Sequence, residues 1–331
     1  MEQKIRTYLQ EVGWQQGLGL ENHFVVRFLA QGECNQNFLV ADGRQQFVFR
    51  LNYESQMNLS NQIMYEFQAL GYLQPSLRTP KPYYVDDSRR YFPQGLLVMA
   101  FIPGRPLDYR SDLTEAAAIF SDIHNLPISD QLPLKREYRL LTDRVAECRQ
   151  LLAPVFKSPH MSAKQLQLFE KAWDRCQKNR RQEKIFEEMN CWCINNTEVN
   201  AHNFIIGEEQ GWLIDWEKPV ISHPCQDLTQ FLVSTTTLWR GHHQLTYDEK
   251  KLFIDQYTAH RSIDQGALEE ALAIYSPYMM LRALAWSAMA YDQYLSGTKA
   301  LKNQAIFEKV SQYLEPAFLE RTLKEQVLAY D

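Results

Sequence analysis

An acid, an amide and a second acid stand in the middle of the chain, and the amide and the second acid are spaced so that they could bind a metal ion together. Glu198 precedes Asn203 by five residues, a short apolar run follows Asn203, and a second apolar run ends at Asp215. The polar segment from Gly207 to Gly211 separates the two runs and predicts a reversal of the chain, so the runs form a hairpin. The hairpin brings the Asn203 amide oxygen and the Asp215 carboxylate together, and Mg²⁺ prefers such hard oxygen ligands.

Each of these two predicted metal ligands has a simpler alternative. Asp215 could be an ordinary carboxylate at the end of a strand, and Asn203 could merely cap a turn. However, Asp215 lies next to Trp216 inside an apolar run, and a buried carboxylate needs a partner. We therefore favour the metal role for both residues.

The composition limits the class of partner. The chain has 331 residues, of which 45% are hydrophobic and 12% aromatic, which is enough to bury one large core or two ordinary ones. Its formal net charge of −5 gives no basic field, which argues against nucleic acid as a partner. The chain shows neither an apolar signal segment at its start nor an apolar run of about 18 residues. We expect a soluble, cytoplasmic protein with no membrane partner, and the sequence does not indicate its oligomeric state.

The first third of the chain is predicted to form a small sheet with one helix on it. Apolar alternation and turn residues predict strands over 24–29, 37–40, 46–51, 83–85 and 96–101. A helix is predicted to start after Ser60 as its N-cap, because apolar residues recur there at helical spacing. Another amphipathic helix is predicted over 4–15. Pro103 and Gly104 stop the last strand, and we place the boundary between two lobes there.

The remainder of the chain is predicted to be helical outside the hairpin. Apolar positions three and four residues apart predict helices over 113–125, 139–152, 163–180, 226–238, 248–259, 268–295 and 300–329. Neither an internal repeat nor a low-complexity tract interrupts this pattern. The fold class is therefore α+β, with a small antiparallel sheet followed by a larger helical part.

The six cysteines are scattered through the chain, so reduced thiols are expected. Cys191 and Cys193 could join His202, His223 and Cys225 in a zinc site, but the usual ligand spacing is absent. We favour a strand with both thiols on one face.

Several segments, in the same order along the chain, are similar to the aminoglycoside phosphotransferase and choline kinase family, which has a protein-kinase-like fold. The segments that carry the resemblance are QGECNQNF at 31–38, FVFR at 47–50, YEFQAL at 65–70, LVMAFIPG at 97–104, IFSDIHNLP at 119–127 and LIDWE at 213–217, followed by Pro224 and Asp227. The resemblance extends from about residue 28 to residue 286. It implies a two-lobe fold in which residues 1–101 form the nucleotide-binding lobe and residues 102–331 the mainly helical catalytic and substrate lobe.

The resemblance also implies that ATP is the phosphoryl donor and that Mg²⁺ binds with it through Asn203 and Asp215. The residues that it assigns to nucleotide binding are Gly32, Asn35, Arg50, Glu66, Met99, Ala100 and Phe101. Arg50 would bind phosphate oxygens, and Glu66 would hold its guanidinium in place. Backbone groups from Met99 to Phe101 would bind the adenine.

The chain departs from the family at the catalytic loop, where the family pattern has His at the position of Asn196 and Asp at the position of Glu198. Glu198 keeps the charge of the catalytic base, and we assign it to accept the proton of the acceptor hydroxyl. The acceptor is predicted to be a small hydroxylated molecule, such as an amino alcohol or an aminoglycoside. Asp227 and His124 are expected to support the fold of this region rather than take part in the chemistry.

Two other functions stay open at this point. The altered loop and the single glycine of segment 31–38 would fit a pseudokinase that binds nucleotide or a partner without efficient transfer. A helical binding module with no nucleotide role is the third possibility. Aromatic residues of the helical part could form a cage for an ammonium group, although helical spacing favours core packing for most of them; they are Trp239, Tyr275, Tyr278, Trp286 and Tyr291.

Overall fold

The computed structural model describes residues 1–11, 17–21, 23–32, 34–55, 57–239, 241–299 and 303–329. The chain forms two compact units. The first comprises Met1–Leu107, Ser129–Leu134 and Asn203–Pro219, and the second comprises Asp108–Ile128, Lys135–His202 and Val220–Asp331. The predicted hairpin thus belongs to the unit that contains the N-terminal sheet. The predicted lobe boundary after residue 101 stays a prediction.

The first unit is built on a five-stranded antiparallel sheet. Its strands are β1 (Val25–Gln31), β2 (Asn35–Ala41), β3 (Gln46–Asn52), β4 (Pro82–Asp86) and β5 (Gly95–Ala100), in the order β1-β2-β3-β5-β4. Apolar side chains of these strands pack against α1 (Glu2–Glu11) in one buried cluster that includes Tyr8, Phe49 and Val98. The five predicted strands are confirmed to within two residues at each end. Residues 12–15 of the predicted first helix lie outside the described residues.

Helix α2 (Gln62–Leu73) follows β3, as predicted, but its N-cap prediction was wrong. Asn61, not Ser60, is the N-cap residue, and no side chain caps the helix. The first helical hydrogen bond runs from the Tyr65 N–H to the Asn61 carbonyl. An Asn–Gln pair follows Ser60, and the chain still turns at Ser60 before it enters the helix.

The hairpin consists of β9 (Phe204–Ile206) and β10 (Gly211–Leu213), and the short strand β6 (Arg105–Pro106) pairs with β9. Gly104 lies directly against this hairpin at a positive φ of +154°. A Cβ at this position would meet the Ile206 carbonyl oxygen at 2.6 Å. Glycine is therefore required where the chain leaves the N-terminal sheet and passes the hairpin.

The second unit is mainly helical, as predicted. Its helices are α3 (Leu113–His124), α4 (Leu140–Val155), α5 (Ala163–Asn179), α6 (Lys184–Met189), α7 (Cys225–Leu232), α8 (Ser234–Thr237), α9 (Tyr247–Ala259), α10 (Gln265–Ser296), α11 (Gln304–Tyr313) and α12 (Pro316–Leu323). Two predicted helices are divided. Val233 is extended between α7 and α8, and Pro316 cannot continue α11 because it has no N–H to donate. Residues 300–302 of the last predicted helix lie outside the described residues.

The prediction that the rest of the chain is helical outside the hairpin was wrong in three places. The alternation of Cys191 and Cys193 favours a strand there, and the observed strand begins at Cys193. The strands β7 (Lys135–Glu137), β8 (Cys193–Asn195) and β11 (Val220–Ser222) form a sheet in the order β7-β11-β8. Each has only three residues, which is too short to show an alternating pattern. In the part of the chain that the structure describes, no helix is long and apolar enough to cross a membrane.

Candidate active site

The hairpin places Asn203 and Asp215 at the same end. Leu213 pairs with Phe204, and the Ile214 N–H donates to the Asn203 carbonyl at 2.8 Å. Asn203 comes just before one strand and Asp215 two residues after the other, so the two residues lie at the same end of the hairpin, opposite its turn. Asp215 has a φ of +64°, in the left-handed region. A non-glycine residue in this region costs free energy, and such residues cluster at functional sites.

Arg50 connects the N-terminal sheet to this end of the hairpin. Its guanidinium is buried, with the side chain 5% exposed, and its Nη1 lies 2.5 Å from Glu66 Oε1 and 2.9 Å from Asp215 Oδ1. Its Nε donates to the Asn37 amide oxygen at 2.9 Å. The structure thus brings together three of the residues assigned from the sequence, namely Arg50, Glu66 and Asp215.

The charges around Arg50 are unbalanced. Burial opposes its positive charge, but the carboxylates of Glu66, Asp215 and Glu217 outweigh burial and hold the pKa of Arg50 above its ordinary value. A carboxylate oxygen of Asp215 and one of Glu217 lie within 4.8 Å of each other. Three carboxylates around one guanidinium leave an excess of negative charge, and such a cluster suits a further cation.

Glu217 was not assigned a role from the sequence, although it stands two residues after Asp215. It is 5% exposed, and its carboxylate accepts a hydrogen bond from the Asn35 side-chain amide. The signal for it was present in the sequence, because Asp215 and Glu217 place two acids in an otherwise apolar segment. Gly32, in the same predicted loop as Asn35, is exposed and donates its N–H to the Asn35 carbonyl at 2.9 Å.

The residues predicted to bind adenine end strand β5. Met99 is buried within the sheet. The Ala100 N–H donates to the Lys81 carbonyl at 2.8 Å, and the Phe101 N–H donates to the Gln46 carbonyl at 3.2 Å. These two donors are used within the sheet, so a hydrogen bond to adenine from this segment would use other backbone groups.

Glu198 lies in a loop that is held by one buried carboxylate. Asp227, at the start of α7, accepts from the Asn196 N–H at 2.6 Å and from the Thr197 N–H at 2.8 Å. Thr197 has a φ of +69°, which is costly for a β-branched residue. The Glu198 N–H then donates to the Asn196 side-chain oxygen at 2.9 Å. The loop before Glu198 is therefore fixed in a strained conformation.

His124 packs near the same carboxylate. Its Nε2 lies 3.8 Å from Asp227 Oδ2, and its Nδ1 lies 2.9 Å from the Tyr257 hydroxyl oxygen. Burial lowers the pKa of His124, and the nearby Arg261 adds to this effect, while Asp227 acts against it. The imidazole is therefore neutral at pH 7 and packs within the second unit.

Changing Asp227 to asparagine should release this loop. An asparagine keeps one acceptor and turns an NH₂ group towards a backbone N–H, so a buried donor loses its partner at a cost of about 2 kcal/mol. We expect a lower urea midpoint for Asp227→Asn. Asp174→Asn, at an exposed position of α5, is the matched control and should leave the midpoint unchanged. Equal midpoints for the two variants would show that Asp227 does not hold the loop.

The aromatic residues considered for a cage divide into two groups. Tyr275 and Tyr278 are buried, and their hydroxyls bond to the Arg144 Nε at 3.0 Å and to the Cys176 carbonyl at 2.9 Å. They belong to the core. Trp239, Trp286 and Tyr291 are half-buried and pack against a small apolar cluster. The ring centroids of Trp239 and Trp286 lie 5.7 Å apart in an edge-to-face arrangement.

Comparison with known proteins agrees with the fold. The sequence profile of the phosphotransferase enzyme family matches residues 25–264, which is most of the chain. The chain therefore belongs to the phosphotransferase enzyme family. The resemblance inferred from its motifs is confirmed. Among curated protein sequences, none matches this chain significantly.

Solved structures of small-molecule kinases share the fold over nearly the whole chain. Spectinomycin phosphotransferase in complex with ADP and spectinomycin is similar with a TM-score of 0.65 and 13% identity, covering 98% of both chains. Choline kinase from Cryptosporidium parvum has a TM-score of 0.64 and 12% identity, covering 98% of this chain and 99% of its own. Ethanolamine kinase from Plasmodium vivax has a TM-score of 0.64 and 14% identity, covering 95% and 88%. These similarities confirm the predicted kinase-like α+β fold.

Proposed function

We propose that this protein transfers the γ-phosphoryl group of ATP to a hydroxyl group of a small molecule, with Mg²⁺ as the cofactor. The observation that carries this proposal is the cluster of the buried Arg50 and Glu66 with the partly exposed Asp215 at the end of the hairpin. A guanidinium and a carboxylate for a metal ion, held side by side, are what a nucleotide phosphate requires. ADP in the related spectinomycin phosphotransferase supports the choice of nucleotide.

The residues at the end of the hairpin fit a magnesium ion. Asp215 and Asn203 would bind it through hard oxygens, and the excess negative charge of the cluster with Glu217 would favour a divalent cation. When bound, the ion would neutralise charge on the phosphates. Arg50 would bind phosphate oxygens directly, and Glu66 would keep its guanidinium oriented. Gly32 and Asn35 would line the loop beside the phosphates, and the segment from Met99 to Phe101 would contact the adenine.

In the proposed reaction, the acceptor oxygen forms a bond to the γ-phosphorus while the bond from this phosphorus to the bridging oxygen breaks, and ADP leaves. Glu198 accepts the proton of the acceptor hydroxyl. Its main task is to orient that hydroxyl, since the loose transition state depends little on the strength of the nucleophile. The strained loop before Glu198, held by Asp227, keeps the carboxylate in place.

We propose an amino alcohol such as choline or ethanolamine, an aminoglycoside, or a related molecule as the acceptor. The names of the structural relatives, which include a choline kinase and a spectinomycin phosphotransferase, support this range. Trp239 and Trp286, which are half-buried in the helical unit, are our candidates for contact with such an acceptor.

A specific observation favours a second function, that of a pseudokinase. The family's His and Asp are replaced by Asn196 and Glu198. The Glu side chain is longer than Asp by one C–C bond, which moves the carboxylate oxygen that accepts the proton by about 1.5 Å. A pseudokinase would bind Mg-ADP but would phosphorylate none of a panel of choline, ethanolamine, aminoglycosides, sugars and nucleosides.

Glu198→Ala tests the proposed catalytic role. We expect transfer to the best acceptor of the panel to fall about a hundredfold or more, since general base catalysis contributes in that range. Mg-ADP affinity, measured by calorimetry, should change less than about twofold, because Glu198 is not assigned to the nucleotide.

The matched control for this test is Glu188→Ala, which removes an exposed carboxylate from α6 of the same unit. It should retain wild-type transfer. An unchanged kcat for Glu198→Ala would remove Glu198 from the mechanism.

A further inference from the structure

Both polar atoms of the Asn35 side-chain amide form hydrogen bonds to other protein groups. Its Nδ2 donates to Glu217 Oε2, and its Oδ1 accepts from the Asn52 Nδ2 at 2.8 Å. Asn35 is 4% exposed and Glu217 is 5% exposed. The Asn52 side chain also donates to the Glu54 carbonyl at 2.9 Å, so the chain of bonds is anchored to the backbone beyond β3.

The main chain around Glu217 is held from the N-terminal sheet as well. Gln62, the first residue of α2, donates its side-chain amide to the Glu217 carbonyl. The Tyr65 hydroxyl donates to the Pro219 carbonyl at 2.5 Å. Both the carboxylate of Glu217 and the backbone that carries it are therefore fixed by residues more than 150 positions earlier in the chain.

Asn35 also ends the loop that is proposed to contact the phosphates. Its carbonyl accepts from the Gly32 N–H at 2.9 Å, and the neighbouring Cys34 carbonyl accepts from the Tyr53 N–H at 2.8 Å. One residue thus joins two parts of the site. Its backbone closes the loop, and its side chain holds an acid beside Asp215.

The choice of an amide at this position has a physical reason. The carboxylate oxygens of Asp215 and Glu217 lie within 4.8 Å of each other, and like charges at this distance repel. A hydrogen bond from a neutral donor can hold Glu217 against this repulsion. A lysine or arginine at the same position would also hold it, but its charge would cancel the negative charge that attracts a cation.

We infer that Asn35 is a positioning residue, which holds Glu217 beside Asp215 and thereby couples nucleotide binding to Mg²⁺ binding. This inference rests on the proposed function. It gives Asn35 a task different from direct contact with the nucleotide, because its amide nitrogen and oxygen both bond to protein groups. The consequence is energetic: Mg²⁺ should tighten ADP binding more strongly when Asn35 is present.

The experiment is a calorimetric titration of the full chain with ADP, once in Mg²⁺ and once in EDTA. In Asn35→Ala we expect the Mg²⁺-dependent gain in ADP affinity to fall about tenfold, which is the usual effect of losing a hydrogen bond to a charged group. The ADP affinity in EDTA should stay within about twofold of wild type. The matched control is Gln36→Ala, because Gln36 is the next residue of β2 and bonds to Gln31 and Tyr53 rather than to the hairpin.

A double-mutant cycle then separates positioning from direct contact. In a Glu217→Gln background, Asn35→Ala should change the Mg²⁺-dependent gain less than about twofold, because the charge that Asn35 positions is gone. If Asn35→Ala lowers the Mg²⁺-dependent gain in ADP affinity equally in both backgrounds, or lowers the ADP affinity in EDTA, the inference is overturned. If Asn35→Ala does not fold, Asn35→Ser, which keeps a donor on a shorter side chain, replaces it with the same expected direction.

The wild type provides the reference for the proposed function itself. If it binds ADP with the same affinity in Mg²⁺ and in EDTA, the magnesium site is wrong, and the role of Asn35 fails with it. If the wild type shows a gain and Asn35→Ala shows the same gain, the magnesium site stands and only the role of Asn35 fails.

Discussion

Asp215→Asn should lower ATP-dependent transfer about a thousandfold, the range expected when one essential electrostatic contact to the reacting phosphoryl group is removed. The change keeps the shape of the side chain and removes the charge that would hold Mg²⁺. Arg50 would keep Glu66 at 2.5 Å, so the fold should persist. The measurement is the rate of product formation at saturating ATP, together with the Mg-ADP affinity, which should also fall.

The hairpin itself offers the control for this experiment. Glu209 is an exposed acid in the turn between β9 and β10, at the opposite end from Asp215. Glu209→Gln removes the same charge from the same hairpin and should leave both transfer and Mg-ADP affinity unchanged. Transfer by Asp215→Asn at more than about a tenth of the wild-type rate would exclude Asp215 as the metal ligand.

Arg50→Met should destabilise the protein strongly, by about 3–5 kcal/mol, because it leaves buried carboxylates without their cation. Glu66 is only 1% exposed, so water cannot replace the guanidinium at 2.5 Å. The urea midpoint, followed by circular dichroism, measures the effect. Addition of Mg²⁺ should restore part of the lost stability, since a divalent cation can neutralise Asp215 in place of Arg50.

A surface arginine provides the comparison. The Arg44 side chain is 82% exposed and forms an ion pair with Glu21 at 3.3 Å, so Arg44→Met should change the free energy of unfolding by less than about 0.5 kcal/mol. The double variant Arg50→Met/Glu66→Leu should recover stability relative to Arg50→Met, because the buried charge is removed together with its partner. Equal midpoints for Arg50→Met and wild type would contradict the buried charge cluster.

Local signals in the sequence were sufficient to predict the strands of the five-stranded sheet and the hairpin. Strand β3 (Gln46–Asn52) follows a turn in which Asp42 accepts from the Arg44 and Gln45 N–H groups at 2.7 Å, and this chemistry is recognisable from Asp42-Gly43 alone. The distance along the chain from Asn203 to Asp215 was enough to place both at one end of a hairpin. Helices with long apolar stripes, such as α5, could be predicted equally well from the sequence.

Long-range contacts explain what the sequence did not predict. The hydrogen bond from Asn35 to Glu217 joins residues 182 positions apart, and no periodicity or spacing could indicate it. The short strand β11 exists because it pairs with β7 and β8 from distant segments. Its three residues carry no pattern of their own. Val233 interrupts a predicted helix although its residue type permits one, because tertiary structure overrides a weak local preference.

The phosphoryl group can be followed directly with ATP that carries ¹⁸O in its γ-phosphoryl oxygens. Wild-type protein is incubated with this ATP, Mg²⁺ and the panel of choline, ethanolamine, aminoglycosides, sugars and nucleosides, and the products are analysed by mass spectrometry, with Asp215→Asn in parallel. We predict an acceptor that carries the labelled phosphoryl group with wild type in Mg²⁺, and none with Asp215→Asn or in EDTA. Wild-type protein that binds Mg-ADP but labels no acceptor of the panel would contradict the proposed transfer and favour the pseudokinase.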